Sequence, residues 1–193
     1  RWPTLTGLRL ASALHVPSDG AIDVRALLGL FAARIEVVLD AAVVGDADGR
    51  IETTRGTLDA EIVVDASGAW AGGLTGDPPL DAYKRHLFVL EAAPQPDAPY
   101  FWHLGSEELY VRGDGGVVLV SPCDASVTEP SDQQPTADGD SCLDRRLREV
   151  APPWTDAAVA RRWACQRAFT QDRKMRLGRD PQRPWLVWAA GLG

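Results

Sequence analysis

Metal-binding patterns are missing from this 193-residue sequence, which has three widely spaced cysteines and three scattered histidines. Cys123, Cys142 and Cys165 form no C-x-x-C pair, and no H-E-x-x-H segment occurs. We therefore expect no bound metal. The odd cysteine count also argues against a disulfide framework. Buried free thiols in a reducing cytoplasm are the expectation that follows.

Basic residues and long apolar runs are also scarce. Lysine and arginine number 20 against 27 aspartate and glutamate, which gives a formal net charge of -7. A duplex-binding protein normally carries a basic face that neutralises phosphates, so a nucleic-acid partner is disfavoured. No run of about 18 apolar residues occurs, so no transmembrane span is predicted. A hydrophobic fraction of 45% is nevertheless enough for a globular core.

Apolar periodicity and turn signals predict an α+β fold with a few short helices. Asp23 suits the N-cap of an amphipathic helix over residues 24–34, and Asp48-Gly49 predicts a hairpin. The β-branched run 62–64 is typical of a strand buried on both faces, and a helix is predicted to begin over 69–74. Residues 122–141 predict a long polar loop, followed by a short helix from 143 that ends before Pro152. Further strands are predicted at 35–39, 42–45, 50–54, 57–59, 86–91, 100–104, 109–112, 117–121, 163–169 and 185–190.

The sharpest local pattern is a strand that leads through Asp65-Ala-Ser-Gly68 into a helix start. Small residues at such a turn let the backbone approach a ligand closely, and the helix N-terminus that follows favours anionic groups. An ordinary strand-to-helix turn, with glycine present for its conformation alone, is the alternative.

The same segment, V-V-D-A-S-G-A-W-A over residues 63–71, resembles V-V-N-A-A-G-A-W of the D-amino acid oxidase, glycine oxidase and sarcosine oxidase family. Asp65 stands where asparagine is frequent in that family. The resemblance implies an FAD cofactor that contacts Val37, Val38, Ala66, Ser67 and Gly68. The two valines would lie near the adenine end, and the other three residues along the dinucleotide.

A second match to this family lies near the end of the sequence. R-A-F-T-Q-D at 167–172 and the run 185–193 resemble the family's R-P-x-T-x-D and A-x-G-x-G-G-H-G segments. The resemblance implies that Arg167 holds a substrate carboxylate and that Gly191, Leu192 and Gly193 pack against the flavin. A guanidinium suits a carboxylate, and glycine backbone can approach a ring closely. A surface salt bridge is the alternative role for Arg167.

A third match covers K-R-H-L-F-V-L-E at 84–91, then F-W-H-L, L-Y-V-R and G-G-V-V-L-V. These segments resemble the family's sheet over the flavin. Tyr110 and Arg112 share one side of a strand by period two, so they are candidates to face substrate. Trp102 and His103 are weaker candidates, and packing within a half-exposed sheet is the alternative for all four. The basic run 84–86 is either a local cationic site or a solvated strand start.

The resemblance covers nearly the whole sequence and implies flavin-dependent oxidation of a C–N bond in an amino acid or N-alkyl amino acid. A 2-hydroxy acid dehydrogenase is a variant within the class. We expect residues 1–75 and 160–193 to belong to an incomplete FAD-binding domain, and 76–159 to a substrate-domain sheet and loop. No G-x-G-x-x-G occurs. The sequence is therefore expected to be the middle and late portion of a longer protein. By itself it would be an inactive fragment or binding domain that holds FAD weakly or not at all.

Overall fold

The computed structural model describes residues 11–73, 80–92, 100–114 and 116–193, which divide into two compact units. Within the described part, the larger unit contains residues 64–178 and 187–193, and the smaller unit contains 11–63 and 179–186. The last residue of the helix predicted to begin at 69, Leu74, lies outside the described residues. The assignment of an FAD-binding and a substrate part to segments of this sequence stays a prediction.

The smaller unit contains helix α1 (Val24–Ala32) and a three-stranded antiparallel sheet. Its strands follow one another along the chain as β1 (Val43–Ala47), β2 (Arg50–Thr53) and β3 (Gly56–Asp59). The Asp23 carboxylate accepts a hydrogen bond from the backbone N–H of Ala26 at 2.9 Å, which confirms the predicted N-cap. The predicted hairpin joins β1 to β2, and a Cβ on Gly49 would lie 2.5 Å from the carbonyl oxygen of Ala60.

One feature of this unit differs from the prediction, and a second leaves apolar surface exposed to solvent. Residues 35–39 form no strand, so that prediction is wrong. A strand needs a partner ladder, but here the carbonyls of Leu39 and Asp40 accept hydrogen bonds from the side chains of Arg55 and Thr54. Helix α1 buries none of its residues, and its apolar side is exposed, with Leu28 at 61% and Phe31 at 58%.

Strand β4 (Val63–Asp65) is followed by a single 3₁₀ turn (Gly68–Trp70), where a longer helix start was predicted. The expectation of a strand buried on both faces is wrong, because Val64 is 58% exposed. The physical reason is that side chains alternate along a strand, and no described residue covers the face of β4 that carries Val64.

The larger unit is built on a six-stranded antiparallel sheet. Its strands are β5 (Leu80–Leu90), β6 (Phe101–His103), β7 (Leu109–Asp114), β8 (Val117–Ser121), β9 (Ser126–Thr128) and β10 (Val159–Thr170). The order across the sheet is β10-β5-β8-β7-β6, and β9 also pairs with β5. Strands β5 and β10 are longer than predicted, and they pair along nearly their whole length.

Helix α2 (Ala137–Val150) covers one face of this sheet. The prediction of a loop over 122–141 is wrong, because the segment forms β9 and the first turns of α2. The early turns of α2 are polar and carry Asp138 and Asp140, which favour a helix N-terminus but give no apolar periodicity. Leu143, Leu147 and Val150 supply the buried side of the helix.

The main core lies between α2 and the sheet, where Phe88, Leu90, Leu109, Val111, Val118 and Val120 are buried. Since side chains alternate along a strand, the odd-numbered residues of β5 point to the opposite face. We call this the distal face, meaning the face of the six-stranded sheet opposite α2. A small sheet of order β11-β12-β4 adds β11 (Arg176–Arg179) and β12 (Leu186–Ala190). The observed architecture confirms the predicted α+β class.

Candidate functional site

Strand register places three of the predicted positions together on the distal face. Trp102 lies opposite Tyr110 in the β6–β7 pair, and Arg112 lies opposite Leu119 in the β7–β8 pair. Leu119 in turn lies opposite Val89, an odd-numbered residue of β5. Residues directly opposite one another in an antiparallel pair point to the same face. Trp102, Tyr110 and Arg112 therefore share the distal face.

Arg167 reaches the same face from β10. It lies opposite Tyr83, and its guanidinium stacks 5.1 Å from the ring centroid of Phe169. Burial, followed by the positive charge of Arg85, lowers the pKa of Arg167. No carboxylate of the described residues forms an ion pair with Arg167. The surface salt bridge considered as an alternative is therefore not formed in this part of the chain.

The glycine segment that follows β12 lies beside Arg167. Gly191 and Gly193 both have positive φ, 66° and 83°, and the Gly193 N–H donates to the Ala168 carbonyl at 3.2 Å. A Cβ on Gly193 would lie 3.0 Å from Nη2 of Arg167 and 2.9 Å from the ring of Phe169. Only glycine lets this backbone approach the guanidinium so closely.

Tyr110 and Arg112 occupy another part of the distal face. The Tyr110 ring lies 6.1 Å from that of Tyr100, in a tilted arrangement. Arg112 Nη2 donates to Asp114 Oδ2 at 3.3 Å, while its Nε is buried without a hydrogen-bond partner in the described structure. A buried unpaired N–H of a guanidinium is costly, and because this Nε has almost no accessible surface, a ligand would reach Arg112 only through its terminal nitrogens.

The three predicted catalytic residues share a face without being in contact. Arg167 stands on β10 and Tyr110 on β7, which are three inter-strand spacings apart, roughly 14 Å. A substrate held at Arg167 would need to extend across the sheet to meet Tyr110. The two positions are therefore separate parts of one surface.

The turn after β4 is stabilised by its own side chains. The Asp65 carboxylate accepts hydrogen bonds from the Ser67 N–H at 3.0 Å and from its hydroxyl at 2.6 Å. This Asx turn gives a local reason for an acidic residue at 65, where the related family frequently has asparagine. Ala66, Ser67 and Gly68 are all exposed, and a Cβ on Gly68 would meet nothing within 4 Å. The backbone of this turn is thus open to a ligand.

Val37 and Val38, the remaining predicted cofactor contacts, belong to the smaller unit. They lie in a segment that forms neither helix nor strand, and they are 54% and 50% exposed. A contact between these valines and an adenine ring stays a prediction.

The basic run 84–86 is divided between the two faces of the sheet. Arg85 lies on the distal face opposite Cys165 and donates to the carbonyls of Asp124 at 3.1 Å and Cys123 at 3.3 Å. Lys84 points to the face covered by α2, and so does His86. One local cationic site of all three residues is therefore not formed, and the solvated strand start is wrong as well, because the run lies in the middle of β5 with His86 buried.

His86 has a structural position. It is 2% exposed, and its Nδ1 donates to the Asp124 carboxylate at 2.6 Å. Its Nε2 accepts the N–H of Thr136, the N-cap residue of α2, at 3.1 Å. His103 also lies away from the distal face, where its Nδ1 bonds the Glu107 carbonyl at 2.9 Å. Neither histidine is placed to meet a ligand on the distal face.

Arg173 belongs to the distal face but was missed from the sequence. It lies in the turn after β10, and its guanidinium stacks on Phe169 at 4.6 Å and on Tyr83 at 5.1 Å. The guanidinium also donates to the Tyr83 hydroxyl at 3.4 Å. The family resemblance identified Arg167 and not Arg173, and alternation could not add Arg173, because residues in a turn have no fixed two-residue period. The basic composition of 167–174 was the only available signal.

Neither the cysteines nor a metal-binding group contributes to the site in the described part of the chain. Burial raises the pKa of the Cys123 and Cys165 thiols, which disfavours the reactive thiolate form. No group of three histidine, cysteine, aspartate or glutamate side chains is arranged for a metal ion within the described ranges. Over the same ranges, no helix has the length and apolar character needed to cross a membrane.

Comparison with known proteins yields one consistent family. The profile described as FAD dependent oxidoreductase matches residues 1–193. The chain is 30% identical, over 98% of its length, to glycine oxidase from Geobacillus kaustophilus (strain HTA426), and it spans 53% of that protein. It thus spans about half the length of the curated relative that it matches.

Solved structures have the same fold. Glycine oxidase from Geobacillus kaustophilus superposes with a TM-score of 0.64 and 28% identity over 78% of this chain and 42% of that one. L-proline dehydrogenase from P. horikoshii superposes with a TM-score of 0.68 and 20% identity over 78% and 44% of the two chains. The similarity to L-proline dehydrogenase shows a shared fold and nothing more.

Proposed function

The chain belongs to the FAD dependent oxidoreductase family, and on that basis we propose that the full-length protein oxidises the C–N bond of an amino acid or N-alkyl amino acid. The position of Arg167 carries the proposal. It is half-buried on the distal face, has no ion-pair partner among the described residues, and lies against the Gly193 backbone. A permanently charged group in this position suits a substrate carboxylate.

Three residues would act on the substrate. Arg167 binds the carboxylate, with two parallel N–H groups available for its two oxygens. Tyr110 and Arg112 stand on β7, three strand spacings from β10, so they would act by reaching over the sheet with the Tyr110 phenol and the terminal guanidinium nitrogens of Arg112. Their role would be to hold the reacting carbon of the substrate in a fixed position. Such positioning is a large part of what a protein contributes to catalysis.

The described residues fit an FAD cofactor at two places in the larger unit. The backbone of Gly191–Gly193 reaches Arg167 closely, and the exposed turn at Ala66, Ser67 and Gly68 presents backbone without obstruction. When bound, FAD supplies the acceptor for the electrons that leave the substrate. We propose that Val37 and Val38 contact its adenine end.

Oxidation of a 2-hydroxy acid is the alternative within the same family. Such a substrate presents the same carboxylate to Arg167 and differs only at the carbon that reacts. The residues that would bind the carboxylate cannot distinguish the two substrate classes. An assay with each class is therefore needed.

The test uses the full-length flavoprotein and follows loss of flavin colour without oxygen. Glycine, sarcosine, D-amino acids and 2-hydroxy acids are offered in turn, and we expect an amine substrate to reduce the flavin. Failure of all amines while a 2-hydroxy acid reacts would replace the proposal with its alternative. Failure of every compound would overturn both.

Arg167→Gln gives the test a structural arm. Loss of a charge-assisted hydrogen bond, worth about 1.5–3 kcal/mol, is expected to raise KM at least tenfold. Arg161→Gln is the matched control, because Arg161 lies on the same strand, is exposed, and stacks on Trp163 at 4.7 Å. An unchanged KM in Arg167→Gln would contradict the carboxylate role.

A further inference from the structure

Three arginines form what we call the cationic patch: Arg85, Arg167 and Arg173 on the distal face. Arg85 lies opposite Cys165, so Arg167 is its diagonal neighbour across the β5–β10 pair, roughly 7–8 Å away between backbones. Arg167 and Arg173 both stack on the ring of Phe169, at 5.1 and 4.6 Å. Arg167 and Arg173 thus place two positive charges on one aromatic ring, and Arg85 adds a third beside Arg167.

None of these charges is neutralised by an ion pair within the described residues. The guanidinium of Arg85 donates to two backbone carbonyls, and that of Arg173 donates to the Tyr83 hydroxyl. Other arginines of the larger unit do have carboxylate partners: Arg112, Arg145, Arg146, Arg148 and Arg162 each form an ion pair. Carboxylates outnumber basic groups in the chain, so a shortage of acids does not explain the patch.

Several carboxylates of the described residues lie near the patch without pairing with it, and Asp124, whose backbone carbonyl accepts from Arg85, pairs with His86 instead. Asp81 lies opposite Phe169 at the end of β5. The Asp172 carboxylate accepts from the Thr170 hydroxyl at 2.9 Å and the Lys174 N–H at 3.1 Å, so it serves its own turn. Glu108 lies near Arg167 but forms no ion pair with any of the three arginines in the described part of the chain.

A single substrate carboxylate would leave most of this charge uncompensated. One carboxylate at Arg167, beside Arg85, relieves the repulsion between those two cations. Arg173 stacks on Phe169 and keeps N–H groups available, because its guanidinium forms one hydrogen bond, to Tyr83, among the residues that the structure describes. A second anionic group on the same ligand would complete the neutralisation.

We propose that the substrate is a dicarboxylic amine, with one carboxylate bound at Arg167 and Arg85 and the second bound at Arg173. The inference rests on the proposed function, since it names the substrate class of the same site. Acidic D-amino acids and iminodiacetate have this chemistry. Glycine and sarcosine have only the first carboxylate.

The experiment compares sarcosine with iminodiacetate, and D-alanine with D-aspartate, as reductants of the flavin in the full-length protein. We expect the dicarboxylate of each pair to have a KM at least tenfold lower. Arg173→Gln should remove that preference and leave the KM for the monocarboxylate within about twofold. Lys174→Gln is the control, because it removes a neighbouring exposed charge that already lies 3.7 Å from Asp172.

Binding without turnover provides a second readout. Succinate should protect the protein against thermal unfolding more than acetate does at equal ionic strength, and Arg173→Gln should abolish the difference. Equal protection by both ions, or monocarboxylates oxidised as well as dicarboxylates, would overturn the inference while the proposed function stands. If no amine reduces the flavin but succinate still protects, the reaction is wrong and the dicarboxylate site remains.

Discussion

Gly139 of α2 lies directly against the ring of His86: a Cβ on residue 139 would be 2.5 Å from two of the imidazole carbons. The ring cannot move aside easily, because Asp124 holds one nitrogen and the N–H of Thr136 the other. The helix is therefore seated on the sheet through a glycine that makes room for a buried histidine.

Gly139→Ala is expected to destabilise the protein by about 1–3 kcal/mol, the usual cost of overpacking a filled core. A decrease in the free energy of unfolding would be informative, because alanine normally stabilises a helix relative to glycine. Denaturant unfolding measures the change. Gly29→Ala in α1 is the control: a Cβ there meets nothing within 4 Å, so a gain of about 0.5–1 kcal/mol is expected. Stabilisation by both substitutions would contradict the close packing on His86.

Glu107 joins the segment before β7 to α2, and its effect on stability should depend on pH. Hydrogen bonds from Arg145, then Arg146, together with their charges, lower the pKa of Glu107. A carboxyl with a depressed folded-state pKa contributes stability above its unfolded pKa and loses it as pH falls through the folded value. Glu107→Gln should therefore lower Tm at pH 7, and the difference should shrink in acid.

The control for this pH profile is Asp144→Asn. Asp144 pairs with Arg148 at 2.7 Å one turn along α2, and both side chains are more than half exposed. Such a pair contributes little, so Tm should change less than in Glu107→Gln. A Glu107→Gln difference that is the same at every pH would show that the ion pairs are not its cause.

Gly193→Ala should weaken substrate binding in the full-length protein. Its φ of 83° is unfavourable for alanine, and the new methyl group would lie 3.0 Å from Nη2 of Arg167. Displacement of the guanidinium is expected to raise KM several-fold. Gly178→Ala is the matched control, because φ is 125° but nothing lies within 4 Å of its Cβ. Equal effects of both changes would point to backbone strain alone.

The 193-residue chain expressed alone is expected to bind FAD weakly or not at all. It contains no G-x-G-x-x-G, the backbone turn that holds the cofactor pyrophosphate in dinucleotide-binding folds. Equilibrium dialysis against FAD, followed by the visible flavin absorbance, tests this. A stoichiometric yellow complex that survives gel filtration would contradict the expectation.

The sequence predicted local features best where one physical rule acts alone. The Asp23 cap, the Asp48-Gly49 hairpin and strand β8 were found because each has its own residue signature. Prediction failed where the structure of a segment depends on its contacts with other segments. Residues 35–39 have strand-like composition but no ladder, and the polar start of α2 is helical because its later turns pack on the sheet.

Prediction of the site was limited in the same way. Alternation placed Tyr110 and Arg112 on one face, and the family resemblance identified Arg167. Neither shows which residue lies opposite which, so the grouping of Arg85 and Arg173 with Arg167 required the β5–β10 register. The role of His86 was equally hidden, because its partners are 38 and 50 residues away in sequence.

The pairing of β5 with β10 also has a consequence for the order of folding. Arg85 and Cys165, which lie opposite each other, are 80 residues apart along the chain. Contacts between such distant segments close a long loop, so they form slowly and late compared with hairpins such as β7–β8. During synthesis, β5 leaves the ribosome long before β10 does. The edge of β5 that pairs with β10 has no partner strand until then. The cationic patch depends on this pairing, so we expect it to form later than the hairpins of the same sheet.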